Sequence, residues 1–287
     1  EGLVDFFISI GVAHAVQVVV HNPLMEIVTA TYAISSDSRT AYIETASACG
    51  LTLVPPHRRT PLLTTTYGLG ELLIDAQKRG VKQIVLGIGG SATCDAGAGM
   101  LKALGDNMLA DTKITVACDV TNPLYGSSGA AYVFAPQKGA TPEQVKQLDM
   151  RLRSFAYITE KRGLASLEDA MKPGTGAAGG LGYALLTYLK AELRSGIDIV
   201  LDSCGFDAQL SGVDLVITGE GCSDCQTING KVAAGVLHRS KLYGVKTILM
   251  SGQIHDSDQL LALGFDKIYC INDGDSRPME ELLNPDV

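Results

Sequence analysis

Apolar and polar positions alternate with a period of two near the start of the chain. Between residues 16 and 46, apolar side chains recur at Val16, Val18 and Val20, then at Val28, Ala30 and Tyr32, then through Ala41-Tyr42-Ile43. Turn formers separate the runs, His21-Asn22-Pro23 first and Ser35-Ser36-Asp37-Ser38 second, so the pattern predicts an antiparallel meander. Pro55-Pro56 and Pro61 mark a loop. The period then changes. Leu69, Leu72, Leu73 and Ala76 share one helical face and predict a helix over Tyr67–Lys78, with Gly80 as the residue that closes it. Gln83–Ile88 follows as an apolar strand of the buried, parallel kind.

Further along, a helix is predicted from about Ala96 to Leu104. Ile114–Val120 and Ala131–Phe134 read as two more strands. Thr141-Pro142-Glu143-Gln144 carries a cap, a first-turn proline and a Gln at the third helical position, which predicts a helix start. Val145, Leu148, Leu152 and Phe155 form its inner stripe. Gly174–Gly182 is Gly-rich and opens a helix expected to run to about Leu193. The last stretch is regular: strand Val213–Thr218, helix Lys231–Tyr243, strand Lys246–Met250, helix Ser257–Leu263, strand Lys267–Ile271. A β-α-β-α-β order predicts a parallel, Rossmann-like sheet. The fold class is therefore α/β, with a mixed α/β unit over 1–200 and the Rossmann-like portion over 201–287.

Composition narrows the chemistry. With 287 residues, 46% hydrophobic and 19% charged, the chain is globular rather than disordered. No apolar run approaches the ~18 residues of a membrane span. A net charge of −8 argues against nucleic acid as a partner, because a phosphate backbone calls for a basic face. Seven scattered cysteines in so long and apolar a chain read as reduced thiols, hence a cytoplasmic protein. The opening residue is Glu1, so the chain reads as part of a longer protein. Gly accounts for 32 residues, which suits ligand-cradling loops.

Two such loops follow strands and open helices. In Gly87-Ile88-Gly89-Gly90-Ser91-Ala92-Thr93, backbone N–H groups can converge on an anion at a helix N-terminus. Ser91 and Thr93 are candidate hydroxyl donors, and Asp95 is placed to hold a bridging cation. A structurally required tight turn is the competing reading. In Thr218-Gly219-Glu220-Gly221, with Asp224, Gln226-Thr227 and Gly230-Lys231, two carboxylates and a lysine supply the parts that phosphoryl transfer needs. Solvated charges on a capped loop are the alternative there. Gly174–Gly182 permits close backbone approach, to a ligand or to a neighbouring helix. Arg194 could fork a carboxylate. Cys222-Ser223-Asp224-Cys225 has no second pair in range for zinc. No G-x-G-x-x-G follows a strand with an acid ~20 residues on, as a dinucleotide site would have, and no serine-hydrolase elbow is present.

These segments together resemble the bacterial type-1 glycerate kinase family. The resemblance is carried by Leu53-Val54-Pro55-Pro56 through Thr64-Thr65-Thr66-Tyr67-Gly68, Gly87–Thr93 with Asp95, and Val116-Ala117-Cys118-Asp119-Val120-Thr121-Asn122-Pro123-Leu124. It continues through Pro136-Gln137-Lys138-Gly139-Ala140-Thr141, Gly176–Gly182, Glu192-Leu193-Arg194, Gly196-Ile197 and Thr218–Gly221 onward to Val232, in collinear order. It implies two α/β domains, one Rossmann-like and one inserted, with the active site in the cleft between them. It also implies ATP, Mg²⁺ and D-glycerate, with 2-phosphoglycerate the usual product, and leaves a homodimer open. On that resemblance Gly89, Gly90, Ser91, Ala92 and Thr93 would hold phosphate, and Asp95 and Glu220 the Mg²⁺. Asp224 would accept the hydroxyl proton and Lys231 would neutralise charge on the transferring group. Arg194, with Gly179 and Gly180, would face glycerate.

The chain departs from the family pattern in four places. An N-terminal strand with an Ala-Pro-Asp-Ser-Phe-Lys segment is absent. The connection between Gly105 and Ile114 is short. The helix expected after Ile271 is cut off. Cys94 and Cys222 stand where Asn and Arg are usual, and loss of an Arg beside a phosphate site removes a strong donor. A degenerate relative that binds nucleotide or a small organic acid without turnover is the alternative reading.

Overall fold

Asn22 explains how the first hairpin closes. Its side-chain oxygen accepts from the N–H groups of Leu24 (2.8 Å) and Glu26 (3.0 Å), a side-chain mimic of a backbone turn. A computed structural model describes residues 2–106, 109–224 and 232–272. The chain divides into two units, Glu1–Arg194 and Ser195–Val287.

In the first unit, helix α1 (Leu3–Ser9) precedes β1 (Ala13–His21), β2 (Ile27–Ser35) and β3 (Thr40–Glu44). β1 pairs antiparallel with β2, and β2 with β3, as the alternation predicts. Phe7 of α1 stacks on Tyr42 of β3, with ring centroids 3.7 Å apart. A short helix α2 (Thr45–Cys49) leads through the proline loop into α3 (Tyr67–Lys78), whose bounds match the periodicity. Leu69, Leu72, Leu73 and Ala76 are fully buried. Each such leucine contributes about 1.5–3 kcal/mol by leaving water, which makes this face the anchor of the helix. Gly80 ends it at φ +84°.

β4 (Gln83–Gly87), α4 (Ala98–Leu104), β5 (Lys113–Ala117), α5 (Ala130–Phe134), α6 (Pro142–Lys161), α7 (Ala177–Tyr188) and β6 (Glu192–Arg194) complete the unit. β3, β4, β5 and β6 run parallel, giving one mixed sheet in the order β1-β2-β3-β4-β5-β6. α6 starts on the expected capping box: Thr141 accepts from the Gln144 N–H, and Gln144 accepts from the Thr141 N–H.

Three local expectations are corrected. Residues 131–134 form α5 rather than a strand, because Ala130, Ala131 and Ala135 are buried in the cluster that includes Leu148, Leu152 and Tyr183. Tertiary packing overrides the strand preference of Tyr-Val-Phe. The helix expected from Ala96 begins at Ala98, because Ala96 (φ 54°) and Gly97 (φ 74°) are left-handed. The helix expected to reach Leu193 ends at Tyr188, and Glu192–Arg194 adds the last strand of the sheet.

The second unit carries α8 (Gly196–Ser203), α9 (Phe206–Gln209), β7 (Leu215–Ser223), α10 (Val232–Leu242), β8 (Lys246–Ile254), α11 (Ser257–Leu263) and β9 (Lys267–Cys270). Its strands form a parallel sheet in the order β7-β8-β9, as expected. Ala233, Leu237, Leu249, Leu260 and Phe265 form its core. Arg239 draws α8 and α9 to α10 through Asp198, Asp202 and Asp207 at 2.6–3.1 Å. No described helix is long and apolar enough to cross a membrane.

Candidate functional site

Register fixes where ligands meet the first sheet. Glu44, Gly87, Ala117 and Arg194 pair in one row across β3, β4, β5 and β6, at the carboxyl ends of the parallel strands. In open α/β sheets this edge is where ligands bind. The Gly-rich loop leaves β4 directly from that row.

The loop is held from behind. The Leu51 N–H donates to the Gly90 carbonyl (2.8 Å), and the Ala92 N–H to the Cys49 carbonyl (2.8 Å), across an isolated bridge between Gly50 and Ser91. The Thr64 hydroxyl donates to the Ala92 carbonyl at 2.9 Å. Gly90 takes φ +67°, which glycine adopts without strain. Gly89 and Gly90 are exposed, while Ser91, Ala92 and Thr93 are buried. Among the described residues, nothing accepts from the N–H groups of Gly89, Gly90 and Ser91. Exposed glycines carrying free donors are what an anion needs.

The two hydroxyls behave differently from expectation. Ser91 Oγ and Thr93 Oγ1 bond each other at 2.8 Å, and the Thr93 N–H donates to Ser91 Oγ at 3.1 Å. They brace the loop from inside instead of pointing to solvent.

Asp95 is also committed to the loop. Its Oδ2 accepts from the N–H of Thr66 (2.9 Å), the hydroxyl of Thr66 (2.9 Å) and the N–H of Gly99 (3.1 Å), while Oδ1 accepts from the N–H of Gly97 (3.1 Å). This carboxylate ties the start of α3 to the start of α4. A Mg²⁺ ligand needs free oxygen lone pairs, and here they serve backbone donors.

Gly179 and Gly180 are buried within the left-handed stretch Ala178–Gly180 at the start of α7. A Cβ on Gly179 would stand 2.1 Å from the Thr93 carbonyl oxygen, and one on Gly180 would stand 2.6 Å from Leu124 Cδ1. The Ala96 N–H donates to the Gly179 carbonyl at 3.0 Å. Both glycines let α7 press against the first loop, so close packing explains them rather than contact with glycerate.

Lys138 carries no chemical role in the sequence reading, although its motif is part of the resemblance. It is 4% exposed, and its ammonium donates to the Thr93 carbonyl at 2.7 Å. Burial pushes the ammonium down to about 8, with Cys94 and Asp95 pulling the other way. The Cys94 thiol is pushed up to about 11, also by burial. Depth decides Lys138's importance, and a sequence does not display depth. Asp119, likewise part of a motif that carries the resemblance, is near the same edge. It is exposed two positions beyond the edge row on β5, the strand next to Arg194.

Arg194 is half-buried at the end of β6, on the edge from which the loop emerges. In the second unit, Glu220 lies near the carboxyl end of β7 and Asp224 immediately follows the strand; both are half-buried. Ser223 Oγ donates to Glu220 Oε1 at 2.9 Å and is also bonded to Ser251 Oγ. Lys231, Gln226 and Thr227 lie outside the described residues, as does Cys225. Among the described residues, no three His, Cys, Asp or Glu side chains cluster as a metal would require.

Residues 1–112 and 106–285 match the family model described as the glycerate kinase family. The chain is 42% identical to a glycerate kinase of Bacillus subtilis (strain 168), spanning 98% of this chain and 81% of that protein. It is 41% identical to a glycerate 2-kinase of Escherichia coli (strain K12), over 89% of this chain and 74% of the relative. A crystal structure assigned to a glycerate kinase 2 from Salmonella typhimurium LT2 superposes with a TM-score of 0.83 at 41% identity. It covers 95% of this chain and 80% of the other.

Proposed function

The chain belongs to the glycerate kinase family, and from that premise we propose how its residues divide the work of moving the terminal phosphoryl group of ATP to glycerate. The activity itself is ATP-dependent phosphorylation of glycerate, and the chain is a kinase. The observation that carries the site reading is the set of free N–H groups on Gly89, Gly90 and Ser91 at the carboxyl end of β4. These donors bind phosphate oxygens and are already in position, so little reorganisation is needed as charge shifts.

Arg194 forks the glycerate carboxylate. Asp224 accepts the proton from the attacking hydroxyl. The hydroxyl is that on carbon 2, supported by the 2-kinase name of the Escherichia coli relative. Lys231 neutralises charge on the transferring group. Mg²⁺ is assigned to Glu220, whose half-buried carboxylate lies near the carboxyl end of β7 and accepts from Ser223 through Oε1, and not to Asp95, both of whose oxygens accept from the chain's own N–H and hydroxyl donors. When bound, the ion would neutralise phosphate charge. Such an ion commonly keeps several waters and needs only one or two carboxylates. The reaction belongs in the cytoplasm, where ATP is abundant, and the described cysteines are all free thiols, which suits that compartment. The non-catalytic alternative is not retained, since the relatives named for an activity are kinases.

The test is a coupled ADP-release assay with Mg-ATP and D-glycerate on the full-length protein, with the product identified by phosphorus NMR. The expected result is glycerate-dependent ADP release and 2-phosphoglycerate. A 3-phosphoglycerate product would overturn the choice of hydroxyl. ATP binding without turnover would favour the non-catalytic alternative. Asp224→Asn should lower kcat by about 10²–10⁴-fold, the usual range for a lost acid–base group. Full kcat in that variant would remove Asp224 from the base role.

A further inference from the structure

We propose that Lys138 is a positioning residue for the ATP site: its buried ammonium clamps the Thr93 carbonyl and thereby holds in place the loop that carries the Gly89–Ser91 donors. The inference rests on the reading of that loop as the phosphate cradle.

Burying a lysine is costly, because the ammonium loses its water. Lys138 is 4% exposed, and its ammonium is directed at one backbone oxygen, the Thr93 carbonyl at 2.7 Å. A structural reason for burying the charge would be a carboxylate in direct contact, and no salt bridge to Lys138 is found among the described residues. The titratable groups that face it are the Cys94 thiol and the Asp95 carboxylate, both from the loop. Cys94 is held neutral by burial, and Asp95 is engaged by four backbone and hydroxyl donors. Arg59 lies against the neighbouring Gly139. The ammonium is therefore a cation behind the cradle, without a counter-charge in contact.

The backbone of α7 also comes close to this carbonyl, since a Cβ added to Gly179 would stand 2.1 Å from it. α7 thus packs closely on Thr93 from one side, and Lys138 holds its carbonyl from another. Thr93 is joined through Ser91 to the free donors, because the Ser91 and Thr93 hydroxyls bond each other at 2.8 Å. A chain of contacts runs from the ammonium to the loop's N–H groups. A charge-assisted bond is roughly twice as strong as a neutral one, which suits a clamp. The buried charge also adds a favourable field for phosphate in a region of low dielectric.

The experiment measures steady-state kinetics of the full-length enzyme carrying Lys138→Met or Lys138→Gln, beside Gly89→Val as a direct block of the cradle. Lys138→Met should raise the KM for ATP about tenfold, leave the KM for glycerate within twofold and change kcat less than threefold. Lys138→Gln, which keeps a donor without charge, should recover part of the loss. In the wild type the KM for ATP should rise above pH 8 as the ammonium deprotonates, and this rise should be absent in Lys138→Met. If Lys138→Met fails to fold, the wild-type profile decides, and a KM for ATP that stays flat from pH 7.5 to 9.5 overturns the proposal. So does an unchanged KM for ATP in a folded Lys138→Met, or an equal rise in both KM values. If Gly89→Val leaves the KM for ATP unchanged, the cradle reading itself fails.

Discussion

Asp95 shows how one side chain can read as catalytic and be built as architecture. Its carboxylate follows a Gly-rich loop and precedes a helix, which is the setting of many cation ligands. Yet its oxygens accept from Thr66, Gly97 and Gly99, and so join the first turns of α3 and α4. Hydrogen bonds to a charged acceptor are worth about 1.5–3 kcal/mol each, so Asp95→Asn should destabilise the protein by about 2 kcal/mol. Thermal unfolding should show a Tm lower by roughly 4–8 °C, with the Mg²⁺ concentration for half-activation unchanged. An unchanged Tm with weakened Mg²⁺ activation would restore Asp95 as a ligand. Position along the chain names the residue but not the direction of its side chain, and the same limit hid the inward turn of Ser91 and Thr93. Lys138 lay within a quoted motif, but only packing reveals that its ammonium ends inside the protein.

At the level of elements, the sequence was legible wherever one face met one core. α3 appears with its expected bounds because four buried positions follow helical spacing and Gly80 stops the chain. The β1-β2-β3 meander and the β7-β8-β9 sheet follow from alternation and from strand–helix order. The misses have a different physical origin. α5 is set by alanines packing under α6 and α7, and β6 is only Glu192–Arg194, too short to show a period. The left-handed turns at Ala96-Gly97 and Ala178–Gly180 meet through the Ala96–Gly179 hydrogen bond, a contact between distant segments. Gly179→Ala should therefore destabilise the first unit by more than about 1 kcal/mol, because it adds a Cβ at φ +70° and at 2.1 Å from the Thr93 oxygen. Denaturant titration should show a lower midpoint. A midpoint equal to the wild type would mean that the loop and α7 are less tightly packed than the contact requires.

Across the whole molecule, a net charge of −8 sets the problem that the site must solve. ATP and glycerate are anions, and the protein's overall field does not favour them. In the proposed reading, backbone N–H groups at Gly89, Gly90 and Ser91 would answer this locally, without exposed basic side chains on the loop. The two-unit α/β plan was legible from strand–helix order, and the family from collinear motifs. The most direct measurement is the KM for ATP of Gly89→Val, taken beside its KM for glycerate and its Tm. Gly89 is exposed and is not in the left-handed region, so a valine there puts bulk on the loop without forcing a positive φ on a β-branched residue. The expected result is a KM for ATP raised at least tenfold, with the glycerate KM and the Tm near wild type. An unchanged KM for ATP in that folded variant would contradict the phosphate cradle.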